Sequence, residues 1–317
     1  MTRQVTAAGR PGWRVFAAVV LLGGLWGSSF PLIRVAAPSL GAAGVTHGRV
    51  QVAATILAAV ITLNVRTART AWRAVGGAIG PLLLLAAFNV ALPLTLVATS
   101  IVSLNASLAA VLNASTPLFA VGVAAVWLHQ AVNRRKAVGV AIGILGVVIL
   151  VGGASLDLDW STALAIAASL TAGLLYALGG VYTQVRFAET RPLVLATGQQ
   201  LAAALLLIPA SAMAPPRGPV TAAAASAVLV VGAGATAGGY LLYFWIIRAA
   251  GPVAASTVTL IVPIAGSVIG VLWLDEPLTL GLVLGTAVIL TAVGLLIGPA
   301  RTQYNSTDAA ERTEVTA

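Results

Sequence analysis

The chain has 317 residues, of which 59% are hydrophobic and only 8% are charged, and its mean hydropathy is +1.02. A soluble domain carries roughly 25% charged residues, so this composition excludes a soluble protein and predicts an integral membrane protein that contacts the lipid bilayer. The net charge of +9 does not indicate nucleic-acid binding, because the arginines lie between apolar segments or at the chain ends, where they orient helices.

Ten apolar segments of roughly spanning length follow one another along the chain. Residues 1–12 are polar, and the first apolar run starts near Val15 and continues past Trp26 to about Ala37. This run is long enough to cross the bilayer, so it predicts a transmembrane helix and not a cleaved signal peptide. The other nine segments are 43–64, 76–98, 105–127, 137–153, 161–184, 192–213, 222–247, 252–274 and 278–298. We therefore predict an all-α protein with ten transmembrane helices and a disordered polar tail over residues 299–317.

The charged residues between the segments predict the orientation of the chain. The positive charges fall in alternate connections, at Arg66, Arg69, Arg73, Arg134, Arg135, Lys136, Arg186, Arg191 and Arg248. The other connections hold one arginine and several acids, namely Arg217, Asp157, Asp159, Asp275 and Glu276. Because positively charged loops stay on the cytoplasmic side, we expect a multi-pass protein of the cytoplasmic membrane with residues 1–12 and 299–317 in the cytoplasm.

Two stretches of the chain are copies of one hydrophobic unit. Residues 117–152 match residues 263–298 without a gap, at an offset of 146 residues. The matched positions include Pro117 with Pro263, Trp127-Leu128 with Trp273-Leu274, and Gln130 with Glu276. Chance similarity between Ala-, Val-, Leu- and Gly-rich helices is the alternative, and the shared register favours duplication. Five helices per copy is an odd number, so a second unit over 161–298 is predicted to be inverted relative to a first unit over 13–153.

Motifs at both ends of these units resemble a known family. The stretches LWGSSFPLIRVAAP at 25–38 and GRVQVAATILAAV at 48–60 are similar to the start of an EamA-type unit of the drug/metabolite transporter superfamily. That family has a Trp-Gly-Ser-like turn in its first helix and an arginine early in its second, which would be Trp26-Gly27-Ser28 and Arg49 here. The ending LDEPLTLGLVLGTAVILTAVGLLI resembles the family's ending, including a Glu-Pro hinge.

The resemblance covers about residues 13–298 and has two departures. His129-Gln130 stands where the family usually has an acidic hinge, and Tyr176 stands where a tryptophan is common. The resemblance implies a secondary transporter that exports or exchanges a small metabolite, an amino acid or an amphipathic drug by alternating access. It also implies a central cavity lined mainly by the first, third and fourth helices of each unit.

Two prolines interrupt the fourth and ninth predicted helices at matching depth. A proline removes one helical hydrogen bond, so Pro117 and Pro263 would leave the carbonyls of Asn113 and Thr259 without their helical partners. A free carbonyl in hydrocarbon is costly unless it faces protein or water. We therefore expect these four residues to line a cavity that binds the substrate.

Other candidate substrate-binding residues are polar or aromatic side chains inside the predicted helices. They are Trp26, Asn89, Tyr176 and Tyr240, because aromatic residues with a polar group suit an amphipathic cavity. The alternative is that they only help the helices to pack. Arg49, about a turn inside the second helix, either binds an anionic substrate group or pairs with a backbone carbonyl. Arg34 lies near the external end of the first helix and is expected to extend toward the membrane surface.

No Asp or Glu lies within a predicted membrane-spanning core, and all eight acidic residues lie at segment edges, in loops or in the tail. A buried carboxylate is the usual proton relay of a coupled transporter. The sequence therefore argues against coupling through a membrane-embedded acid. Facilitated diffusion, exchange and coupling through an edge group stay open.

Two other functional classes compete with transport. An enzyme within the membrane would need a nucleophile–base pair, a metal triad or paired carboxylates inside the bundle, and the predicted helices contain none of these. The chain has no cysteine, and His47 and His129 are far apart, so we predict no enzyme activity, no cofactor and no metal site. The remaining alternative is a receptor or scaffold protein that does not transport, which would need neither an inverted repeat nor a path for solutes.

Overall fold

The computed structural model describes residues 13–64, 66–153, 159–216, 218–243, 245–246, 249 and 258–297, and every regular element in these ranges is a helix. The helices are α1 (Trp13–Gly27), α2 (Ser29–Leu63), α3 (Ala68–Gly77), α4 (Ile79–Ala86), α5 (Leu92–Ser103), α6 (Ala106–Asn113), α7 (Thr116–Trp127), α8 (Arg134–Gly152), α9 (Trp160–Arg186), α10 (Pro192–Met213), α11 (Ala222–Val230), α12 (Val258–Leu274) and α13 (Leu280–Ile297). Two π-helical segments, Ala87–Ala91 and Val231–Gly238, continue α4 and α11.

Seven helical stretches are long and apolar enough to cross a membrane. They are Trp13–Leu63, Ile79–Ser103, Ala106–Trp127, Arg134–Gly152, Trp160–Arg186, Pro192–Met213 and Ala222–Tyr243. Two shorter apolar helices, Ile261–Leu274 and Leu280–Leu295, follow them. The prediction of an all-helical, multi-pass membrane protein is therefore confirmed for the described part of the chain, and most of the predicted segments coincide with one of these helices.

The predicted first and second helices belong to one stretch, Trp13–Leu63, of 51 residues. A straight helix of this length would measure about 75 Å, more than twice the hydrocarbon thickness of a bilayer. Gly41 divides the stretch, because its φ of 68° and ψ of 167° are not helical. Glycine adopts a positive φ without the steric cost that a side chain brings. A single residue thus separates the two helices where the sequence predicted a connection of several residues.

Large apolar side chains cover the outer surface of the bundle. Phe16, Leu145, Val148, Trp160 and Leu272 are all largely exposed. In water such a surface would drive aggregation, whereas in a bilayer it contacts lipid. The polar residues described below are instead buried or half-buried between helices, as expected for a protein whose solvent is hydrocarbon.

The last helices of the two sequence copies, α8 and α13, pack against each other in opposite directions. Gly153, just after the end of α8, lies against Gly281 at the start of α13, and Gly146 lies against Ile289 further along. A methyl group added to Gly146 would come within 2.8 Å of the Ile289 Cγ1 atom, so only glycine permits this approach. Small residues at a helix interface allow close backbone contact in membranes.

The hinges that precede these two helices have the same backbone geometry. His129 and Asp275, which are matched by the repeat offset, have positive φ angles of 53° and 50°. In each hinge the next amide donates a hydrogen bond to a carbonyl six residues earlier in the chain. The two pairs are Gln130 to Ala124 and Glu276 to Gly270, and both are 3.3 Å long. The sequence match between the two copies is therefore also a match of local conformation.

The π-helical segments are matched in the same way, which the sequence pattern did not predict. The segment Ala87–Ala91, shifted by the repeat offset, falls inside Val231–Gly238. A π-helical turn widens the helix and shifts its hydrogen bonds from i−4 to i−5, and such turns are frequent at functional sites. Each predicted five-helix unit therefore has one irregular stretch, and it lies within the third predicted helix of that unit.

Candidate functional site

A buried arginine lies beside the second π-helical segment. Arg49 of α2 is only 5% exposed, and its Nε donates a hydrogen bond of 3.0 Å to the Thr236 hydroxyl. That hydroxyl in turn donates to the Val231 carbonyl, 3.0 Å away, at the opposite end of the π-helical turn. The arginine is thus held by a side chain that is itself anchored in the irregular backbone. The sequence alternative, direct pairing of Arg49 with a backbone carbonyl, is not observed among the described residues.

The charge of Arg49 has no carboxylate partner in the described part of the chain. The ion pair found there joins Arg34 to Glu276, at a different place in the bundle. Arg49 has electrostatic interactions with the phenol groups of Tyr176 and Tyr240, which places these two predicted site residues in its surroundings. A buried cation without an anion is expensive in a low-dielectric medium, so this position is a candidate for function.

Each π-helical segment presents a backbone carbonyl to an aromatic side chain. The Trp26 Nε1 donates to the Ala235 carbonyl over 2.9 Å, and the Tyr240 hydroxyl donates to the Asn89 carbonyl over 3.3 Å. Asn89 and Ala235 are related by the repeat offset of 146 residues. Corresponding backbone groups in the two copies are therefore satisfied by different donors, an indole and a phenol.

Aromatic rings connect the two carbonyl contacts into one cluster. The Trp26 ring lies 6.2 Å from the Tyr240 ring and 5.5 Å from the Tyr243 ring, measured between centroids. The Asn89 side-chain amide donates to the Gln199 side-chain oxygen over 3.0 Å. We name this set the central cluster, and its members are Trp26, Arg49, Asn89, Tyr176, Gln199, Thr236, Tyr240 and Tyr243.

The structure brings together five of the nine residues predicted to bind substrate, namely Trp26, Arg49, Asn89, Tyr176 and Tyr240. Sequence reasoning missed the roles of Gln199, Thr236 and Tyr243 in this cluster. The adjacent Gln199 and Gln200 were an available signal, since two amides inside an otherwise apolar helix are unusual. The role of Thr236 had no such signal, because it depends on the π-helical backbone.

The region around Pro117 differs from the predicted bend. The fourth predicted helix is broken into α6 and α7, and Pro117 lies in the first turn of α7, where its missing N–H costs little. The Asn113 carbonyl accepts a hydrogen bond of 2.7 Å from the Thr116 hydroxyl, so it has a side-chain partner within this break. The Asn113 side-chain oxygen is buried without a hydrogen-bond partner among the described residues.

This break packs against the helix that carries Tyr176. A methyl group placed on Gly173, one turn before Tyr176 in α9, would lie 3.2 Å from the Thr116 hydroxyl oxygen. The hydrogen bonds and ring contacts of the central cluster themselves do not include Asn113 or Pro117. The substrate-binding roles predicted for these two residues stay predictions.

Pro263 occupies a different setting from Pro117. It is buried inside α12, which continues from Val258 to Leu274 without a break. Thr259 belongs to the same helix, and its side chain lies outside the described residues. The two prolines therefore have matched positions in sequence and unequal effects on their helices, and the role predicted for Pro263 and Thr259 stays a prediction.

A second buried polar site surrounds Glu276, which the sequence placed at a segment edge. Its side chain is only 6% exposed, and its carboxylate accepts hydrogen bonds from the Ala106 amide at 2.6 Å, the Ser107 amide at 2.9 Å and the Ser107 hydroxyl at 2.6 Å. These amides belong to the first turn of α6, where unpaired N–H groups and the helix dipole attract an anion.

Arg34 completes this second site and does not simply extend to the membrane surface. Its Nη1 donates to the Leu104 carbonyl at 2.6 Å and the Ile101 carbonyl at 3.2 Å, and its Nε lies 3.9 Å from the Glu276 carboxylate. Gly270 faces the same carboxylate, and a methyl group there would lie 2.5 Å from both Glu276 and Ser107. A glycine at this position therefore leaves room for the contact between the two copies.

A shallow cavity of about 330 Å³ lies elsewhere, beside the Gly41 break and the threonines of α5. None of the predicted site residues lines it. No group of three His, Asp or Glu side chains suited to a metal ion occurs within the residues that the structure describes. The central cluster is therefore the candidate site that best combines burial, charge and polar contacts.

Comparisons with known proteins give a family and a fold. The model of the EamA-like transporter family matches residues 14–152 and 163–298, one match per sequence copy. A solved structure described only as "Crystal structure of protein" is similar, with a TM-score of 0.60 and 16% sequence identity, over 95% of this chain and 98% of that chain. That likeness concerns the fold alone. No significant match is found among curated proteins.

Proposed function

We propose a function from one premise, which is that this chain belongs to the EamA-like transporter family. The resemblance predicted from the sequence motifs is thereby confirmed, and the protein is a multi-pass membrane protein of a transporter family. We infer that it is a secondary transporter of a small metabolite, an amino acid or an amphipathic drug, acting as an exporter or exchanger by alternating access. We place it in the cytoplasmic membrane with both termini in the cytoplasm, from the distribution of basic residues.

The observation that carries this proposal is the matched geometry of the two sequence copies. The hinge residues His129 and Asp275 share an unusual backbone conformation, and the π-helical segments occupy equivalent positions. The matched helices α8 and α13 run antiparallel, as two units would if one is inverted relative to the other. Ten helices in two inverted five-helix units, over about 13–153 and 161–298, account for these relations.

Alternating access requires that the two ends of the bundle open in turn, and the two hinges are in unequal states. Glu276 of the second hinge is buried against α6, so it ties the two copies together at that end. Its counterpart in the first hinge, Gln130, is exposed. In an alternating-access cycle, each state has one end of the bundle closed and the other open. We therefore assign the described conformation to the state in which the Glu276 end is closed.

We propose the central cluster as the substrate site, because it contains a buried cation with no carboxylate partner in the described ranges, contains aromatic rings, and draws on helices of both five-helix units. Asn113, Pro117, Thr259 and Pro263 are proposed to contribute from the fourth and ninth predicted helices, where Pro117 follows the break between α6 and α7 and Pro263 lies inside α12. A receptor or scaffold protein is the second candidate, and none of the contacts between the described residues favours it.

Transport can be tested with purified protein in liposomes. A panel of metabolites, amino acids and amphipathic drugs is first screened for compounds that raise the melting temperature, since a ligand bound to the native state stabilises it. Radiolabelled forms of the stabilising compounds are then followed into protein-containing and protein-free liposomes. Flux that depends on the protein supports the proposal, whereas binding without any flux would favour a receptor.

A further inference from the structure

We propose that the central cluster recognises a monoanionic carboxylate attached to an apolar or aromatic group, with Arg49 as the residue that binds the carboxylate. This inference rests on the proposed transport function for the role of the site. Its chemistry, however, comes from the contacts of one side chain. An arginine has five N–H donors in a planar fork. Only the Nε donor of Arg49 is used within the described residues, by the Thr236 hydroxyl.

The position of Arg49 leaves its other four donors for a ligand. The described carboxylates are those of Asp159, Glu189, Asp275 and Glu276, and none forms an ion pair with Arg49. A guanidinium that is 5% exposed and lacks a counter-charge carries a large desolvation cost. A bound anion removes that cost, so the cost itself favours an anionic ligand over a neutral one.

The single positive charge of Arg49 favours a ligand with one negative charge. One guanidinium neutralises one negative charge, and its paired Nη donors match the two oxygens of a carboxylate. A dianionic phosphate at the same place would leave a net negative charge in a low-dielectric site. We find no second arginine or lysine among the central cluster residues that could neutralise it.

The apolar part of the ligand is specified by the neighbouring rings. Trp26, Tyr240 and Tyr243 form a continuous aromatic surface, with centroid distances of 5.5 and 6.2 Å. The Trp26 indole N–H is already used by the Ala235 carbonyl, so this ring offers mainly its apolar faces. Aromatic faces bind apolar and aromatic groups, and the Tyr240 phenol also interacts electrostatically with Arg49.

The test compares two compounds of the same shape that differ in charge, 3-phenylpropanoate and 3-phenylpropanamide. Binding of each to the purified protein is measured by thermal shift and by calorimetry. We expect the carboxylate to bind the parent protein and the amide to bind about 10- to 100-fold more weakly, since hydrogen bonds to charged groups are the strong ones. Equal binding of the amide, or no binding of the carboxylate, would overturn the proposal.

Variants assign the effect to Arg49. Arg49→Gln should raise the Kd for 3-phenylpropanoate about 10- to 100-fold and leave the Kd for the amide nearly unchanged. Arg49→Lys keeps the positive charge, so it should bind 3-phenylpropanoate more tightly than Arg49→Gln does. Such a difference would show that the weaker binding of Arg49→Gln comes from the lost charge and not from a folding defect. Arg69→Gln, at an exposed arginine of α3, is the matched control and should bind like the parent. If Arg49→Lys folds and loses no affinity while Arg49→Gln also binds normally, Arg49 has a purely structural role.

The proposal and the transport function can fail separately. Protein-dependent flux of neutral compounds, with no preference for 3-phenylpropanoate, would support the transport function and contradict the carboxylate as the recognised group. Binding of 3-phenylpropanoate that depends on Arg49, without flux of any compound, would support the carboxylate-binding site and contradict the transport function.

Discussion

The carboxylate of Glu276 is bound to the hydroxyl and the backbone amide of Ser107, 169 residues away in the chain. Ser107 lies in the first turn of α6 in the first five-helix unit, and Glu276 lies in the hinge of the second unit. A helix N-terminus holds a carboxylate through unpaired amides and the helix dipole. This contact therefore joins the two five-helix units at one end of the bundle, and Arg34 lies beside it, with its Nε 3.9 Å from the carboxylate.

Glu276→Gln should destabilise the described conformation. The amide keeps the shape of the side chain but loses the charge, and its NH₂ group cannot accept from Ser107 or Ala106. We expect a loss of about 1.5–3 kcal/mol, the range for hydrogen bonds to charged groups. Thermal unfolding of the detergent-purified protein measures it as a lower melting temperature.

The matched control is Asp275→Asn, one residue earlier. Asp275 is exposed and has a positive φ, a conformation that Asn also tolerates. The control should unfold close to the parent temperature. If Glu276→Gln and Asp275→Asn unfold at the same temperature, the buried contact contributes nothing to stability.

Tyr240→Phe and Trp26→Phe should each leave one carbonyl of a π-helical segment without its donor. Removing one hydrogen-bond partner from a buried group costs about 1–3 kcal/mol. We expect both variants to be less stable and to bind ligands of the central cluster more weakly, as judged by thermal unfolding and ligand titration. Trp273→Phe changes a tryptophan that is 74% exposed and serves as the control. Parent-like behaviour of both cluster variants would show that these contacts are incidental.

The repeat and the hinge register could be predicted from sequence, because identical residues such as Pro117 and Pro263 fall at one constant offset. The buried state of Glu276 could not, because it depends on a partner that is 169 residues away in the chain. A carboxylate next to a proline at a segment edge normally indicates a solvated loop. Only the packing of the two copies brings it to the start of α6.

The π-helical segments also could not be predicted from the sequence pattern. Their residues, Ala87–Ala91 and Val231–Gly238, are as apolar and small as the regular helices around them. What accompanies the irregular hydrogen bonding is a contact from another helix to each segment, made by Trp26 to Ala235 and by Tyr240 to Asn89. Aromatic and polar candidates could still be identified, since polar groups are costly in hydrocarbon wherever they lie.

The two prolines should respond differently to replacement. Pro263→Ala introduces an N–H inside a continuous helix, where it can donate to the Thr259 carbonyl one turn back and straighten α12. Pro117→Ala introduces an N–H in the first turn of α7, which has no helical acceptor. We expect Pro263→Ala to reduce transport strongly and Pro117→Ala to reduce it little. Flux per folded protein in liposomes measures both, and the reverse order would contradict the account.

The orientation can be tested with single cysteines, because the chain has none of its own. Asp275→Cys should react with a membrane-impermeant thiol reagent added outside intact cells, and Arg135→Cys should react only after the cytoplasmic face is exposed. Both predictions follow from the charge distribution between segments. Labelling of Arg135→Cys from outside intact cells would reverse the assigned topology.

Alternating access is tested most directly by locking the Glu276 end of the bundle. A side chain placed at Gly270 starts 2.5 Å from both the Ser107 hydroxyl oxygen and the Glu276 carboxylate, so cysteines at positions 270 and 107 would replace the Glu276 contact with a covalent link between α12 and α6. Tyr176→Cys, introduced in the same protein, reports access to the central cluster, and each lock cysteine alone serves as a control.

While the lock cysteines are reduced, the reporter at position 176 should react with an impermeant thiol reagent from both faces of the membrane. After oxidation it should react only from the face opposite the lock, and reduction should restore labelling from both faces. Labelling from the locked face at an unchanged rate after oxidation would contradict alternating access through this site.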